Sequence, residues 1–515
     1  MKRRIVSLLL ALIVLALPVL ATTSCNFGGG DTTTTPAETT PATTTPAETT
    51  EGDNNGEETP VVGKEVSLGD EPIHIVFYHT MGESLRAVLD KYIVEFNKIY
   101  PNITIEHKQV GGYDDVRNQI TTEITVGDQP NIAYCYPDHV ALYNVAKAVQ
   151  TLDQYIDSID YITLSDGTQE TIGLTKKQIG NFIDGYYEEG RAFGDGKMYT
   201  LPMSKSTEVF YYNKTFFEQN GLTPPTTWDE LEALCARILE IDPNCIPLGY
   251  DSEANLFITL CEQYGSPYTS ATPGNNFLFD NDTNKEFMAM FRTWFQDKLM
   301  TTQTLNGGAY TSAMFTGEGS DGTAVSTRCY MCIGSTGGAT YQQPAATTNN
   351  ETGETEYEFE VGIVPIPQAN KDNQKVILQG PSVCIFKKAD PQQVLASWLF
   401  AKHLTTDKVF QGSISMNNGY CPVIKSVDSL PAYAEFLADA STENIQALAI
   451  NATRLQQDYF YSSPAFYGSS DARLQVETLV TECLSVELGG KTVKEKFDEI
   501  FAAKVRACKT AIGQK

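Results

Sequence analysis

Hydrophobic and polar positions change period repeatedly after residue 70, which predicts strands followed by helices. Ile73, Ile75 and Phe77 occupy every second position, as in a strand. Apolar residues from Leu85 to Ile99 then recur at steps of three and four, which indicates the buried face of a helix. The pattern continues with a strand from Ile103, a helix over about 113–126 and a strand over 131–136. This order predicts a parallel sheet covered by helices, in the α/β class.

The remainder of the chain is mainly helical in pattern. Helices are predicted at about 226–241, 254–264, 284–299, 391–405, 431–447, 471–488 and 491–511, and a polar surface loop at 344–358. Parallel sheets bind ligands at the carboxyl ends of their strands. We therefore expect a site at the loops that follow Tyr78, Val110 and Tyr136.

The first residues carry the pattern of an export signal. The basic residues 2–4 precede an apolar run from Ile5 to Leu17, which is shorter than the roughly 20 residues that span a bilayer. The small residues before Cys25 resemble a bacterial lipobox, with Thr22 where that signal prefers leucine. The resemblance implies a signal peptide over 1–24 and a lipid on Cys25. Ordinary secretion with a free thiol at Cys25 is the alternative.

Residues 25–69 are predicted to form a disordered tether. They are rich in Thr, Pro, Glu and Gly, and Pro-Ala-Glu-Thr-Thr occurs at 36–40 and again at 46–50. Such a segment lacks the apolar residues of a core. We expect it to hold the folded part away from a membrane surface; a solvated tail without that role is the alternative.

Composition narrows the function further. The net charge of −27 argues against nucleic-acid binding, which needs clustered basic residues. The chain has 11 cysteines. Apart from Cys25, most lie singly within apolar runs, which predicts buried thiols. Disulfides stay open, because exported proteins form them and their pairing cannot be derived from sequence.

A motif in the middle of the chain resembles a known family. Leu201–Lys214 contains an "LP…YYNK" signature, and Pro224–Leu231 continues it with Pro-Pro-Thr-Thr-Trp-Asp-Glu-Leu. Both resemble family 1 extracellular solute-binding proteins, the capture subunits of ABC importers. Further matching stretches are Tyr78–Met81, Gly380–Phe386 and Asn418–Val423, so the resemblance covers about 70–511.

The resemblance implies a periplasmic-binding-protein-like fold of type II, with a ligand cleft between two discontinuous α/β lobes. Lobe 1 would comprise 70–205 and 333–400, and lobe 2 would comprise 206–332 and 401–515. The lobes would close on the ligand by a hinge motion.

Six ligand-binding residues follow from similarity to glycerol-phosphate-binding members: Tyr113, Asp138, Ser206, Ser335, Gly380 and Tyr420. Asp138 lies one place beyond the aligned position, which is Pro137. These side chains suit hydroxyl groups, because Asp accepts, Ser donates and accepts, and tyrosine also stacks on a sugar face. Purely structural roles are the alternatives for Tyr113, Ser206 and Gly380.

Two departures from those members bear on the ligand. The position of their phosphate-binding arginine aligns near Phe466 of this chain. Arg473 is close by in sequence but lies on the other side of a glycine. Their tryptophans are missing from 251–255. The sequence therefore favours a neutral sugar or oligosaccharide, with a glycerol-phosphate-type ligand as the alternative.

The prediction is a monomeric binding subunit without catalytic residues, cofactor or metal. Its partners would be a small sugar, the transmembrane subunits of an ABC permease and the membrane, through the lipid. It would lie on the outer face of a bacterial cytoplasmic membrane. A surface glycoside hydrolase that uses two carboxylates and an adhesin are the alternative functions.

Overall fold

A computed structural model describes residues 63–319, 322–353 and 355–514. The predicted signal peptide, Cys25 and the tether as far as residue 62 lie outside the described residues. Residues 63–69, which the sequence assigns to the tether, belong to the folded part. Leu68 is buried, and the Val66 amide donates to the Tyr161 carbonyl at 2.8 Å.

The strands are β1 (Ile73–His79), β2 (Ile103–Gln109), β3 (Ile132–Cys135), β4 (Tyr161–Thr163), β5 (Gln169–Thr171), β6 (Thr200–Pro202), β7 (Ser206–Asn213), β8 (Leu248–Tyr250), β9 (Met300–Thr302), β10 (Met331–Ser335), β11 (Ala346–Thr348), β12 (Thr355–Tyr357), β13 (Val361–Val364), β14 (Val376–Gln379), β15 (Ser382–Ile385) and β16 (Phe460–Tyr461). The helices are α1 (Glu83–Ile99), α2 (Tyr113–Ile124), α3 (Pro137–Val145), α4 (Asp153–Ile156), α5 (Lys176–Asn181), α6 (Asp184–Glu188), α7 (Lys214–Asn220), α8 (Trp228–Ile241), α9 (Glu253–Gln263), α10 (Asp282–Gln296), α11 (Ser312–Thr316), α12 (Pro391–Thr406), α13 (Lys408–Asn418), α14 (Pro431–Ala438), α15 (Ile445–Leu455), α16 (Ser469–Ser485) and α17 (Val493–Ala511).

The first sheet has five strands in the order β2-β1-β3-β15-β6. β1 runs parallel to β2 and β3, whereas β15 is antiparallel to both β3 and β6. The alternating Ile75 and Phe77 are fully buried and share a core with Trp398 and Phe400 of α12. The parallel pairing of the first three strands, which the sequence predicts, is therefore present.

The second sheet has seven strands, in the order β16-β14-β7-β10-β8-β9 with β13 beside β7. Its central strand, β7, carries most of the Tyr-Tyr-Asn-Lys motif and pairs antiparallel with β10, β13 and β14. Trp228 and Trp294 are buried in a separate core on this sheet. Two sheets with separate cores form the predicted two-lobed α/β fold.

The chain passes between the sheets at 203–205, again at 380–381 and a third time between Tyr433 and Phe460, which differs from the lobe boundaries expected from the sequence. Residues 333–379 supply strands to the second sheet, because β13 and β14 extend β7 by antiparallel pairing. At Gly380, with φ of +89°, the chain turns back towards the first sheet. Conversely, Phe410 and Tyr433 pack in the core of the first sheet.

The predicted helix at 431–447 is two helices, α14 and α15. Asn444 caps α15 by accepting from the Ala447 amide, which places a new helix start inside the predicted span. The expected surface loop at 344–358 contains the exposed hairpin β11–β12.

All ten cysteines of the described residues are buried and free of disulfides. No helix in the described ranges is long and apolar enough to cross a membrane.

Candidate functional site

An open cleft lies against elements of both sheets, with about 1060 Å³ of empty space when the solvent at its mouth is included. Its lining from the first-lobe elements includes Tyr113 of α2 and Asp138 of α3. Its lining from the second-lobe elements includes Ser470 and Arg473 of α16, and Tyr268 from the loop after α9. The cleft lies at the loops after β2 and β3, where the sequence predicts a site.

Tyr113 stands at the first position of α2, where two glycines let the chain turn. Gly111 has φ of +40°, and the Asp115 carboxylate accepts from the Gly112 amide at 2.8 Å. The Tyr113 ring packs on Tyr136 with ring centroids 4.7 Å apart. Burial raises the pKa of Tyr113 well above its usual value, and the nearby phenols of Tyr420 and Tyr136 add to the effect. Tyr113 therefore presents a neutral hydroxyl beside an aromatic face.

Asp138 lies in the first turn of α3, and its carboxylate accepts a 2.7 Å hydrogen bond from the Ser470 hydroxyl. Burial opposes ionisation of Asp138, but His139, Ser470 and Arg473 outweigh it and hold its pKa below the usual range. Asp138 is therefore an ionised acceptor that faces α16.

The remaining predicted residues lie at the crossing segments. Ser206 begins β7 and Ser335 ends β10, and their hydroxyl oxygens are 3.4 Å apart. A Cβ atom on Gly337 would come within 2.7 Å of the Tyr420 ring, so this ring lies directly against the segment after Ser335.

Gly380 has a structural reason to be glycine. A Cβ atom there would lie 2.5 Å from the Ser204 carbonyl oxygen, and its φ is positive. Tyr113 and Asp138 line the cleft, whereas Ser206, Ser335, Gly380 and Tyr420 are not among its lining residues. A ligand role for all six stays a prediction.

Arg473 is a cleft residue that the sequence left unassigned, and it ends a buried polar chain. Its guanidinium donates to the Asn255 side-chain oxygen, and the Asn255 amide nitrogen donates to Glu208 at 2.9 Å. Tyr250 donates to the other Glu208 oxygen at 2.6 Å. Burial raises the pKa of Glu208 to about 7. In the sequence, the one indication that Arg473 belongs to the site is its three-residue spacing from Ser470, which puts both side chains on one helix face.

Glu189 also lines the cleft and forms a buried ion pair with Lys205. The same ammonium donates to the Gly380 carbonyl at 3.1 Å and to the Ser382 hydroxyl at 3.0 Å. The Ser382 hydroxyl is 3.1 Å from Glu189, and Ser462 is 3.5 Å from its other oxygen. This pair ties the crossing segments at 203–205 and 380–381 together at the edge of the cleft.

The charge of the cleft lining is more acidic than basic. Its carboxylates are Asp114, Asp138, Glu189 and Glu477, and its guanidinium groups are Arg117 and Arg473. Arg117 pairs with Asp114 at 3.0 Å, whereas Arg473 forms no ion pair within the described residues. No group of metal-ligating side chains that could hold an ion occurs in the described ranges. The arrangement offers many acceptors and a few neutral hydroxyl donors.

Curated relatives match part of this chain. It is 27% identical over 207 residues to the sn-glycerol-3-phosphate-binding periplasmic protein UgpB of Salmonella paratyphi A, which is 39% of this chain and 43% of that protein. It is 27% identical over 183 residues to UgpB of Yersinia pestis, which is 35% of this chain and 37% of that protein. The match thus spans about two fifths of the length of these relatives.

Solved structures resemble nearly the whole folded part. The sugar-binding protein MalE from Xanthomonas citri has a TM-score of 0.63 at 16% identity, covering 85% of this chain and 98% of that chain. UgpB from Mycobacterium tuberculosis, in complex with glycerophosphocholine, has a TM-score of 0.61 at 16% identity, covering 86% and 100%. At such identities the likeness shows the fold, and it confirms the predicted two-lobed architecture.

Residues 91–441 match the family described as bacterial extracellular solute-binding protein. That span is more than half of the chain, and it includes the motif from Leu201 to Lys214. The family predicted from this motif is confirmed, and the chain belongs to the bacterial extracellular solute-binding proteins.

Proposed function

We propose that this protein is the extracellular substrate-binding subunit of an ABC importer. It captures a carbohydrate in the cleft between its lobes, closes by a hinge motion at 203–205 and 380–381, and delivers the ligand to a membrane permease. A lipid on Cys25 anchors the monomer to the outer face of the cytoplasmic membrane. The proposal rests on the family and on relatives that are named as sugar-binding or glycerol-phosphate-binding proteins.

A neutral sugar or oligosaccharide is the proposed ligand, and the observation that carries this choice is the charge of the cleft. Lys205 neutralises Glu189, so the uncompensated lining carries the two carboxylates of Asp138 and Glu477 against the one guanidinium of Arg473. A phosphate dianion would be repelled by these two carboxylates, whereas sugar hydroxyls donate to carboxylates. The phenols of Tyr113 and Tyr136 supply an aromatic face for a sugar ring.

A glycerol-phosphate-type ligand is the second candidate, and Arg473 is the observation that favours it. Its guanidinium lies in the cleft with an amide partner and no carboxylate partner. An arginine in that state suits an anionic ligand, because guanidinium groups bind phosphate oxygens in pairs.

A thermal-shift series on the purified full chain tests the proposal. The ligands are maltose, maltotriose, glycerol, sn-glycerol 3-phosphate and glycerophosphocholine. A ligand at about 100 times its Kd adds roughly 2.7 kcal/mol to the free energy of unfolding. We expect the melting temperature to rise with a neutral saccharide and to stay constant with glycerol.

The same samples separate binding from the alternative functions. Chromatography of the saccharides after long incubation should recover them intact, because a binding subunit turns nothing over. Release of shorter sugars would instead support a glycoside hydrolase that uses cleft carboxylates. Absence of stabilisation by every ligand would favour an adhesive role.

A further inference from the structure

Several buried polar atoms of the described residues lack a hydrogen-bond partner, and some of them line this cleft. They include Tyr268 Oη, Thr269 Oγ1, Gln379 Oε1 and His139 Nδ1. Buried polar groups in folded proteins are usually paired, because an unpaired one costs the full desolvation of the group. Their positions along one cleft place them where a bound ligand would supply the missing partner.

Tyr268 is the most sharply defined of these groups. Its side chain is 5% exposed, and its ring packs against Phe257 and Phe279 with centroids 6.3 and 6.1 Å away. The apolar contacts hold the ring still, while the hydroxyl finds no partner among the described residues. Burial raises the pKa of Tyr268, and the guanidinium of Arg473 opposes that shift. The phenol is therefore a neutral donor near the cleft arginine.

Gln379 and Glu189 offer acceptors in the same cleft. Gln379 ends β14 beside Ser206 of β7, and its Oε1 is buried without a partner. One oxygen of Glu189 is occupied by Lys205 and Ser382. The other oxygen has only the Ser462 hydroxyl, at 3.5 Å. Lys205 thereby orients a carboxylate whose second oxygen keeps acceptor capacity.

We propose that Tyr268, Gln379 and Glu189 form a hydroxyl-binding subsite for a neutral sugar or polyol. The Tyr268 hydroxyl donates to a ligand oxygen, and the oxygens of Gln379 and Glu189 accept from ligand hydroxyls. This subsite uses none of the six residues implied by family resemblance, and it borders them at Gln379, which lies beside Ser206. It rests on the proposed function, because the ligand that fills it is the ligand of the binding protein.

The test compares Tyr268→Phe with Tyr143→Phe in the full chain. The Tyr143 hydroxyl is also buried without a partner, but its ring packs in a core with Val140 and Phe386. Phenylalanine removes one hydroxyl at either position. Without ligand, neither variant should have a lower melting temperature than the parent. Calorimetric titration with maltotriose should show about 3- to 10-fold weaker binding for Tyr268→Phe and parental binding for Tyr143→Phe.

Gln379→Met tests the subsite from a different element, β14. We expect the same loss of affinity for maltotriose in this variant. Parental affinity in both Tyr268→Phe and Gln379→Met would overturn the subsite while the proposed function stands. A lower melting temperature of unliganded Tyr268→Phe than of Tyr143→Phe would also overturn it, because the hydroxyl would then have a partner within the protein. If the parent binds neither maltotriose nor sn-glycerol 3-phosphate, the proposed function fails and the subsite fails with it.

Discussion

Lys205 and Glu189 form an ion pair that is buried where the chain passes from the first sheet to the second. The lysine side chain is fully buried and its ammonium has three acceptors, one of which is the carbonyl of Gly380 in the crossing segment at 380–381. Since burying a lone charge costs several kcal/mol, each partner is stable there only while the other is present.

Replacement of Lys205 alone should therefore destabilise the fold strongly. We expect Lys205→Met to lower the free energy of unfolding by about 3–5 kcal/mol, because the Glu189 carboxylate would stay buried without its cation. The double variant Lys205→Met, Glu189→Gln should recover most of the loss. Urea unfolding measures all three proteins. Lys371→Met, which removes an exposed pair with Glu230, is the control and should behave like the parent. Parental stability of Lys205→Met would contradict this account of the pair.

Glu208 should make stability depend on pH. Burial raises its pKa to about 7 from the ordinary 4.5, so between these values the folded protein keeps a proton that the unfolded chain has released. The contribution of Glu208 to the free energy of unfolding therefore falls as pH rises from 4.5 to 7, by about 3 kcal/mol in total. Glu208→Gln cannot ionise and should gain stability relative to the parent over this range. Urea unfolding at pH 5, 6, 7 and 8 measures the difference, and a difference that is constant with pH would refute it.

Gly337 should be needed to keep Tyr420 in place. A Cβ atom there would lie 2.7 Å from the Tyr420 ring, whereas one on the neighbouring Gly338 meets nothing closer than 3.9 Å. We expect Gly337→Ala to cost about 1–3 kcal/mol of stability and to weaken ligand binding by displacing the ring. Gly338→Ala is the matched control and should retain parental values in thermal unfolding and calorimetric titration. Equal behaviour of the two variants would mean that the Tyr420 position does not matter for binding.

Arg473 separates the two candidate ligand classes. For a neutral ligand, Arg473→Gln should weaken maltotriose binding by less than about 10-fold, the loss of one ordinary hydrogen bond, and added salt should change little. The exposed Arg506→Gln on α17 serves as the control. Tight binding of sn-glycerol 3-phosphate that Arg473→Gln weakens by 100-fold or more would identify a phosphate ligand, because an unneutralised buried charge costs this much.

The sequence predicted those elements whose periodicity is strong and whose ends carry local signals. α8 begins at Trp228 because Thr227 and Glu230 form a capping box, and its observed span agrees closely with the predicted 226–241. The lobe boundaries were harder to place, because strand pairing is not local. Nothing around Val361 or Val376 indicates that these strands pair with β7 rather than with the first sheet.

The site was predictable only in part, for a related reason. Tyr113 and Asp138 follow the carboxyl ends of β2 and β3, so a general rule of parallel sheets places them in the cleft. Tyr268 and Glu189 carry no comparable signal. Tyr268 reaches the cleft through the packing of its ring in a core, and Glu189 through a lysine 16 positions away in sequence.

Calorimetric titration of the full chain with maltotriose and, separately, with sn-glycerol 3-phosphate tests the central claim most directly. The account predicts saturable binding of one maltotriose per chain, a lower heat capacity of the complex from burial of apolar surface, and recovery of the intact sugar. We also expect sn-glycerol 3-phosphate to bind weakly or not at all. Failure of both ligands to bind, or conversion of maltotriose to shorter sugars, would contradict a sugar-capture function.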